Sequence, residues 1–284
     1  MKILNKNKNR IVIFGSNGFI ASNLINILKK KNQNFISIPK SKIDLTNKIK
    51  SKKIKNLLKN NDTVIFISAL APVKDIVSFN KNIDMACNFI DNIKKIKIKK
   101  FIYISSDAVY SDSNNSLNEY SKTSPDNLHG LMHLTREKLF KQHFNKITII
   151  RPTLIYGFND PHNGYGPNSF YRLAKKNQNI NLFGKGEELR DHVHISDVVN
   201  SIYKICKTKK NDKFNVCSGS LISFYEIAKL IIKTTGSKSK IIFNKRKTPM
   251  PHNGYRPISN KFIKKTIKFN FLKFKDGIKL YEKI

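Results

Sequence analysis

RIVIFGSNGFIASNLINILKK, residues 10–30, decides the fold. Four apolar residues, 11–14, read as a short buried strand that runs straight into Gly15, Gly18 and Ala21 at the spacing G-x-x-G-x-x-A. Phe19, Ile20, Leu24, Ile27 and Leu28 then recur at helical intervals while Asn23, Asn26 and Lys29 point elsewhere, so a helix follows at once. Strand, tight turn and helix N-terminus in that order make an anion site. Gly15 permits the turn, Gly18 lets backbone approach a pyrophosphate, and the free N–H groups of the first helical turn face the charge with the helix dipole behind them. The apolar strand and the amphipathic helix on either side favour a dinucleotide-binding turn over glycines that merely turn the chain.

At 284 residues the chain is long enough for one large α/β domain or two closely joined ones. Its 54 basic and 19 acidic residues give a formal charge of +35, which points to nucleic acid or an anionic membrane when it is gathered on one element. Here the lysines are spread through almost every segment, without zinc-finger spacing or an aromatic RNA-binding signature, so nucleic acid is not expected as a ligand. The field favours anionic small molecules. Cys87, Cys206 and Cys217 are odd in number with no C-x-x-C pair, which reads as free thiols in a reducing compartment, serving as small core residues. Residues 1–10 lack the apolar stretch of a signal peptide, and no run approaches the roughly 18 apolar residues of a membrane span. A cytoplasmic protein with no membrane partner is expected.

Residues 34–38 read as a second strand. An NAD-selective site has an acid after it to hold the ribose 2′-hydroxyl, but here Pro39, Lys40, Ser41 and Lys42 follow. Two lysines and no carboxylate suit the 2′-phosphate of NADP. Asp44 and Leu45 come next, in a loop that either touches the adenine or, through Asp44 or Thr46, caps a helix over 48–59. Residues 62–72 give a third buried strand ending in small side chains, which let a cofactor lie close to the backbone. A helix over 80–96 has a wide apolar face, and residues 99–112 form a fourth strand running into Ser105, Ser106 and Asp107. Strands alternating with helices in this way mean a doubly wound parallel sheet with ligands beyond the strands' carboxyl ends.

GSNGFIA, DLTN, ISALA, FIYISSDAVY, LIRPTLIYG and LFGKGEELRDHVHISDVV, in this order and spacing, resemble the extended short-chain dehydrogenase/reductases, specifically the NAD-dependent epimerase/dehydratase family acting on nucleotide sugars. The resemblance implies a pyrophosphate loop at Gly15, Asn17, Gly18, Phe19 and Ile20, and an adenine contact at Asp44 and Leu45. It implies a cofactor-lining strand end at Ser68, Ala69 and Leu70. Ser106 falls on the family's catalytic serine or threonine, and Pro152 lies in the loop that borders the nicotinamide.

The departure lies in HGLMHLTRE, residues 129–137. Family members carry Y-G-x-x-K followed by a glutamate; Gly130 and Glu137 fit, but His129 stands at the tyrosine position and His133 at the lysine position. The two histidines share one helix face at i and i+4. Imidazole titrates near 6.5 where phenol needs about 10, so His129 can accept a proton without a cationic helper, and His133 can hydrogen-bond a ribose hydroxyl. Such a pair also suits zinc, but no third ligand with characteristic spacing follows and the H-E-x-x-H glutamate is missing, so no metal is expected. The alternative to an enzyme is a catalytically silent protein that keeps the NAD(P) or nucleotide-sugar pocket.

Residues 146–150 make another strand, with Arg151, Pro152 and Thr153 in the loop after it. Asn168 reads as a phosphate-docking residue or the N-cap of a helix over 169–176. Arg190 and Arg256 match the family's substrate arginines, and guanidinium grips a diphosphate through paired donors. The chain has only seven arginines, which makes both positions informative. His194 and Asp197 read as orienting a turn and capping the helix after it, 223–234 as an amphipathic helix, and 269–284 as helical.

The expected fold is α/β, a Rossmann-type doubly wound parallel sheet over residues 1–165 with a small C-terminal substrate-binding lobe over 166–284, part of 192–217 returning to the first domain. The expected ligands are NAD or NADP, with NADP favoured by Lys40 and Lys42, and a nucleotide-sugar substrate. The resemblance also implies a homodimer through helices 80–96 and 128–145.

Overall fold

The computed structural model describes residues 9–283; residues 1–8 of the N-terminal segment, and Ile284 of the segment read as helical, lie outside them. Two compact units divide the chain. The first holds residues up to Ser111, Lys122–Arg151 and Val199–Phe214, and the second holds Asp112–Ser121, Pro152–Val198 and the chain from Asn215 on. The chain thus changes unit at Pro152, ahead of residue 165, because the strand at Leu154–Tyr156 pairs within the second unit. The returning stretch is 199–214.

The first unit is a Rossmann-type α/β layer structure. Its strands are β1 (Ile11–Phe14), β2 (Phe35–Ile38), β3 (Thr63–Phe66), β4 (Lys100–Ile104) and β5 (Ile147–Pro152), joined at the edge by Lys213–Val216, in the order β2-β1-β3-β4-β5 and then that last strand. The pairs β1–β2, β1–β3, β3–β4 and β4–β5 are parallel. Every residue of β1, β3 and β4 is buried, as continuous apolar runs require when helices cover both sheet faces. The core gathers around Phe66, whose ring meets those of Phe14, Phe89, Phe101, Tyr103 and Phe140. Strand order reverses at β1, so the crevice between the carboxyl ends of β1 and β3 is the topological switch point where ligands of such sheets bind.

The helices are α1 (Phe19–Lys30), α2 (Lys48–Ser51), α3 (Ile54–Leu57), α4 (Ile76–Ile93) and α5 (Leu128–His143). The helix expected over 48–59 is two separate turns, and its cap is the Asn47 side chain, which accepts from the N–H groups of Ile49 and Lys50. Asp44 instead accepts from the Thr46 N–H and hydroxyl. Helix α4 begins earlier than expected because Asp75 caps it through the Ser78 N–H. Its buried side carries asparagines among the apolar residues: Asn82 clamps Leu70, Asn88 donates to the Leu45 carbonyl and Asn92 to the Ser51 hydroxyl. Ile76, Val77 and Leu131 on α4 and α5 are exposed.

The second unit is built on a strand at Leu189–His194. Leu221–Ser223 joins it antiparallel, and Leu154–Tyr156 and Tyr255–Arg256 join it parallel. A parallel pair, Ile180–Phe183 with Ile241–Asn244, stands beside the helices Pro167–Lys175 and Phe224–Thr235. The core is Tyr156, Phe170, Leu182, Phe224, Ile231 and Ile278 with their neighbours. The tail is broken into the helices Lys261–Ile267 and Phe274–Lys279 and a final 3-10 turn. Of the thiols, all free, only Cys217 is buried; Cys206 is half-buried and Cys87 exposed, which corrects the reading of all three as core residues. No helix among the described residues is long and apolar enough to cross a membrane.

Lys100 is one of the buried cations of the first unit. Its ammonium lies 2.8–3.3 Å from the carbonyls of Ile205, Thr208 and Lys210 and the Thr208 hydroxyl, at the end of the helix Ile195–Lys207. There a positive charge meets carbonyls gathered at the negative end of the helix dipole. Lys100→Met removes the ammonium's bonds to those acceptors, and a loss of roughly 2–4 kcal/mol is expected in urea denaturation with the slope unchanged.

Candidate active site

The turn after β1 is open to an anionic ligand. Gly15 has φ +87°, and a Cβ there would lie 2.7 Å from the Ser68 backbone, so only glycine lets the turn rest on the end of β3. Gly18 begins α1 with no side-chain cap, and a Cβ on it would meet only the Gly15 carbonyl at 3.6 Å. Asn17 and Gly18 are exposed, and Phe19 and Ile20 half-buried. The first-turn amides of α1 are therefore not filled by the chain's own side chains, and the cradle fits a dinucleotide's phosphates.

Around this turn lie the other expected cofactor positions. Lys40 and Lys42 are exposed after β2 and Leu45 is buried. Ser68 and Leu70 are half-buried and Ala69 exposed. The Leu70 N–H and carbonyl are both held by the Asn82 side chain, at 3.1 and 3.0 Å.

Helix α5 reaches the same strand end. Arg136, fully buried, donates to the Ser68 carbonyl at 2.8 Å and twice to the Asn82 carbonyl, and no carboxylate among the described residues pairs with it. One turn earlier, the His133 and His129 rings pack edge to face at 4.8 Å. His133 is buried, and its Nδ1 lies 2.8 Å from the Tyr103 hydroxyl on β4. His129 is half-buried, with the Val73 N–H 3.5 Å from its Nδ1. His133 therefore faces the protein interior, while His129 stays partly open to solvent.

The helix is seated by two contacts. A Cβ on Gly130 would come within 2.1 Å of the Ala108 carbonyl, so α5 presses directly on the 3-10 turn Asp107–Val109. Glu137 takes two bonds from Arg151, at 2.8 and 2.5 Å, and one from the Ser105 hydroxyl at 2.7 Å, all buried. Ser106 caps the 3-10 turn, its Oγ accepting from the Ala108 N–H at 3.1 Å. Burial lowers the His129 pKa against the raising effect of Asp107. It lowers that of His133 well below the ordinary value, and the positive character of His129 and Arg136 acts in the same direction.

The second unit holds the expected substrate residues. Arg190 and Arg256 sit directly opposite each other on neighbouring parallel strands. Arg190 donates to Glu188 at 3.1 Å and the buried Arg256 to Asp112 at 2.8 Å. His252 bonds the same Asp112 oxygen, and Arg246 lies 3.5 Å from Glu188. Asn168 is not an N-cap: Gly166 precedes that helix, and Asn168, inside its first turn, bonds Gly157, Asp160 and Tyr281. Its side chain is thus engaged within the fold. Pro152 ends β5 and is not in a loop, and the Thr153 N–H continues the ladder to the Val216 carbonyl. His194 Nδ1 meets the Ser196 hydroxyl at 2.7 Å and orients the turn; Asp197 accepts from the Leu272 N–H at 2.7 Å and is no cap. No group of three or more His, Cys, Asp or Glu side chains among the described residues is placed to hold a metal.

The model of the NAD dependent epimerase/dehydratase family matches residues 11–217. The chain belongs to the NAD-dependent epimerase/dehydratase family. Among curated relatives of this family member, an uncharacterized UDP-glucose epimerase of Bacillus subtilis is 25% identical over 88% of this chain and 90% of its own length. A GDP-6-deoxy-D-talose 4-dehydrogenase of Aggregatibacter actinomycetemcomitans is 26% identical over 82% of each chain. The fold is that of the UDP-glucuronic acid 4-epimerase of Bacillus cereus, solved with UDP-glucuronic acid and NAD, at a TM-score of 0.82, 20% identity and coverage of 96% of this chain and 99% of that one. It is equally that of the Thermus thermophilus UDP-glucose 4-epimerase, solved with NAD, at a TM-score of 0.83, 18% identity and coverage of 96% of this chain and 97% of that one.

Tyr103, Asn82 and Arg136 escaped the sequence reading. The scarcity of arginine that marked Arg190 and Arg256 applies equally to Arg136.

The fold holds His133 neutral, whereas the unfolded chain takes up its proton near pH 6.5. The stability contributed by that neutrality is complete above about pH 6.5 and is lost as pH falls toward the depressed folded-state value. His133→Gln is expected to show a shallower decline in urea midpoint than the parent between about pH 7.5 and 5.5. Equal slopes would mean that the site accepts an imidazolium.

Proposed function

We propose that this chain is an NAD(P)-dependent enzyme that epimerises, dehydrates, oxidises or reduces a nucleotide-activated sugar, using His129 where its family uses tyrosine. The observation that carries the reading is the pair of desolvated imidazoles on the face of α5 that reaches the end of β3, the strand end on which the open glycine turn rests. Gly15, Asn17, Gly18, Phe19 and Ile20 would hold the pyrophosphate, Asp44 and Leu45 the adenine side, and Ser68, Ala69, Leu70 and Pro152 the nicotinamide side. Lys40 and Lys42, exposed where an NAD site carries an acid, favour the 2′-phosphate of NADP.

When bound, the nicotinamide supplies a hydride acceptor and donor. The chain's own residues manage the proton. At 3.5 Å the Val73 N–H contact to Nδ1 is too long to lock the His129 tautomer: with the ring proton on Nε2 the imidazole would give a proton to the sugar oxygen, and with it on Nδ1 the Nε2 lone pair would take one. Being neutral at physiological pH, His129 needs no neighbouring ammonium to make it a base. Ser106 accepts from the Ala108 N–H and gives its own proton to the Asp107 carboxylate over a long 3.4 Å contact, which a reacting oxygen would have to displace to receive that proton. His133 bonds the cofactor ribose, and Arg190 and Arg256 hold the substrate diphosphate.

A silent nucleotide-binding protein is the second reading, favoured by one observation: His133 has one nitrogen already bonded to Tyr103. Incubating the protein with cofactor and a panel of nucleotide sugars in deuterated water separates the two, since an enzyme exchanges or reduces a sugar carbon visibly by NMR. His129→Ala is expected to lower turnover by about 10²- to 10⁴-fold, and full activity in that variant rejects the assignment of acid/base. In the parent, kcat/KM is expected to hold across neutral pH and fall on the acid side as His129 protonates. Titration with NADH and NADPH tests the cofactor choice, Lys40→Ala being expected to weaken NADPH alone.

A further inference from the structure

We infer that Tyr103 is a positioning residue that fixes the tautomer of His133: its hydroxyl donates to Nδ1, so the ring's single proton sits on Nε2, on the side away from Tyr103, and His133 meets the cofactor ribose as a hydrogen-bond donor. This deepens the proposed function and rests on it only for the identity of the acceptor.

The Tyr103 oxygen and His133 Nδ1 are 2.8 Å apart and both residues are buried, a full hydrogen bond in which one partner must donate. Burial raises the Tyr103 pKa well above its ordinary value despite the opposing charge of Arg136, so the phenol keeps its proton. It can therefore be the donor, which requires a lone pair on Nδ1. The groups facing the His133 ring are Tyr103 from β4 and His129 and Arg136 from its own helix, and both of the latter disfavour an imidazolium. A neutral ring accepting at Nδ1 carries its proton on Nε2.

The two histidines are then not equivalent. His133 is tied at 2.8 Å and has one tautomer, while the contact at His129 Nδ1 is 3.5 Å and leaves that ring's proton unassigned. One imidazole is held as a fixed donor and the other is left able to exchange. The family's lysine supplies donors and a positive charge from one side chain. Here a neutral His133 supplies a donor, and the charge nearby belongs to Arg136, which is tied to the Ser68 and Asn82 carbonyls.

The test is two-bond proton–nitrogen correlation NMR on protein carrying ¹⁵N-histidine, which distinguishes the two neutral tautomers and the cation without any cofactor. In the parent, His133 is expected to appear as the neutral Nε2–H form throughout about pH 5.5–8. In Tyr103→Phe, whose ring can keep its place against Phe66 and Phe140, a mixture of tautomers is expected, with NAD(P)H affinity lowered roughly three- to tenfold. A parent His133 found as Nδ1–H or as the cation, or a tautomer unmoved in Tyr103→Phe, overturns the inference. The parent spectrum decides it even if the variant fails to fold. A parent with the Nε2–H form that binds neither NADH nor NADPH upholds the tautomer and rejects the cofactor reading instead.

Discussion

The buried pair between Glu137 and Arg151 is the constraint on which the candidate site depends. It joins α5 to β5, and the Ser105 bond to the same carboxylate joins α5 to the end of β4. Two charges taken out of water are tolerated only when geometry and further hydrogen bonds satisfy them, and here both Glu137 oxygens are used. The pair sets the depth of α5 on the sheet. Gly130 sets its closeness at the other end, where no side chain fits between the helix and the Ala108 carbonyl. With both ends fixed, His129 and His133 have little freedom in where they stand relative to Ser106 and the end of β3.

The same logic of backbone approach governs the cofactor side. Gly15 against Ser68 lets two strand ends meet without an intervening side chain. Asn82 then holds the segment beyond Ser68 by both polar groups of Leu70, and Arg136 holds Ser68 itself. The chain after β3 is thus tied by side chains from α4 and α5, so the surface proposed to face the cofactor is held without being part of a strand.

Much of this was legible in the residues. The apolar runs of β1, β3 and β4 could only be buried parallel strands, the glycine spacing marked the turn, and the i, i+4 spacing put both histidines on one face. What was hidden has a common physical cause. Asn82, Asn88 and Asn92 carry no apolar signal, yet each is buried on a main-chain or hydroxyl partner outside its own helix. Tyr103, inside an apolar strand, reads as a core ring, and its hydroxyl gains a role only once α5 lies over it. The break between α2 and α3 was invisible because apolar spacing alone carries a helix through residues 52–53, where the fold does not. The facing of Arg190 by Arg256 joins residues distant in sequence through a two-residue strand too short to carry any pattern.

That facing would bear on the selectivity of the proposed substrate position. Neither guanidinium waits bare: Glu188 already neutralises Arg190, and Asp112 is shared by Arg256 and His252. An arriving anion therefore has to compete with resident carboxylates. A halide or a simple carboxylate offers no more than what it displaces, whereas a ligand with two linked phosphates can engage both cations at once and gain from their being side by side. If the two arginines hold the substrate as proposed, counter-ions built into the resting protein would act as a threshold that favours multivalent anions over the salt of the surrounding medium.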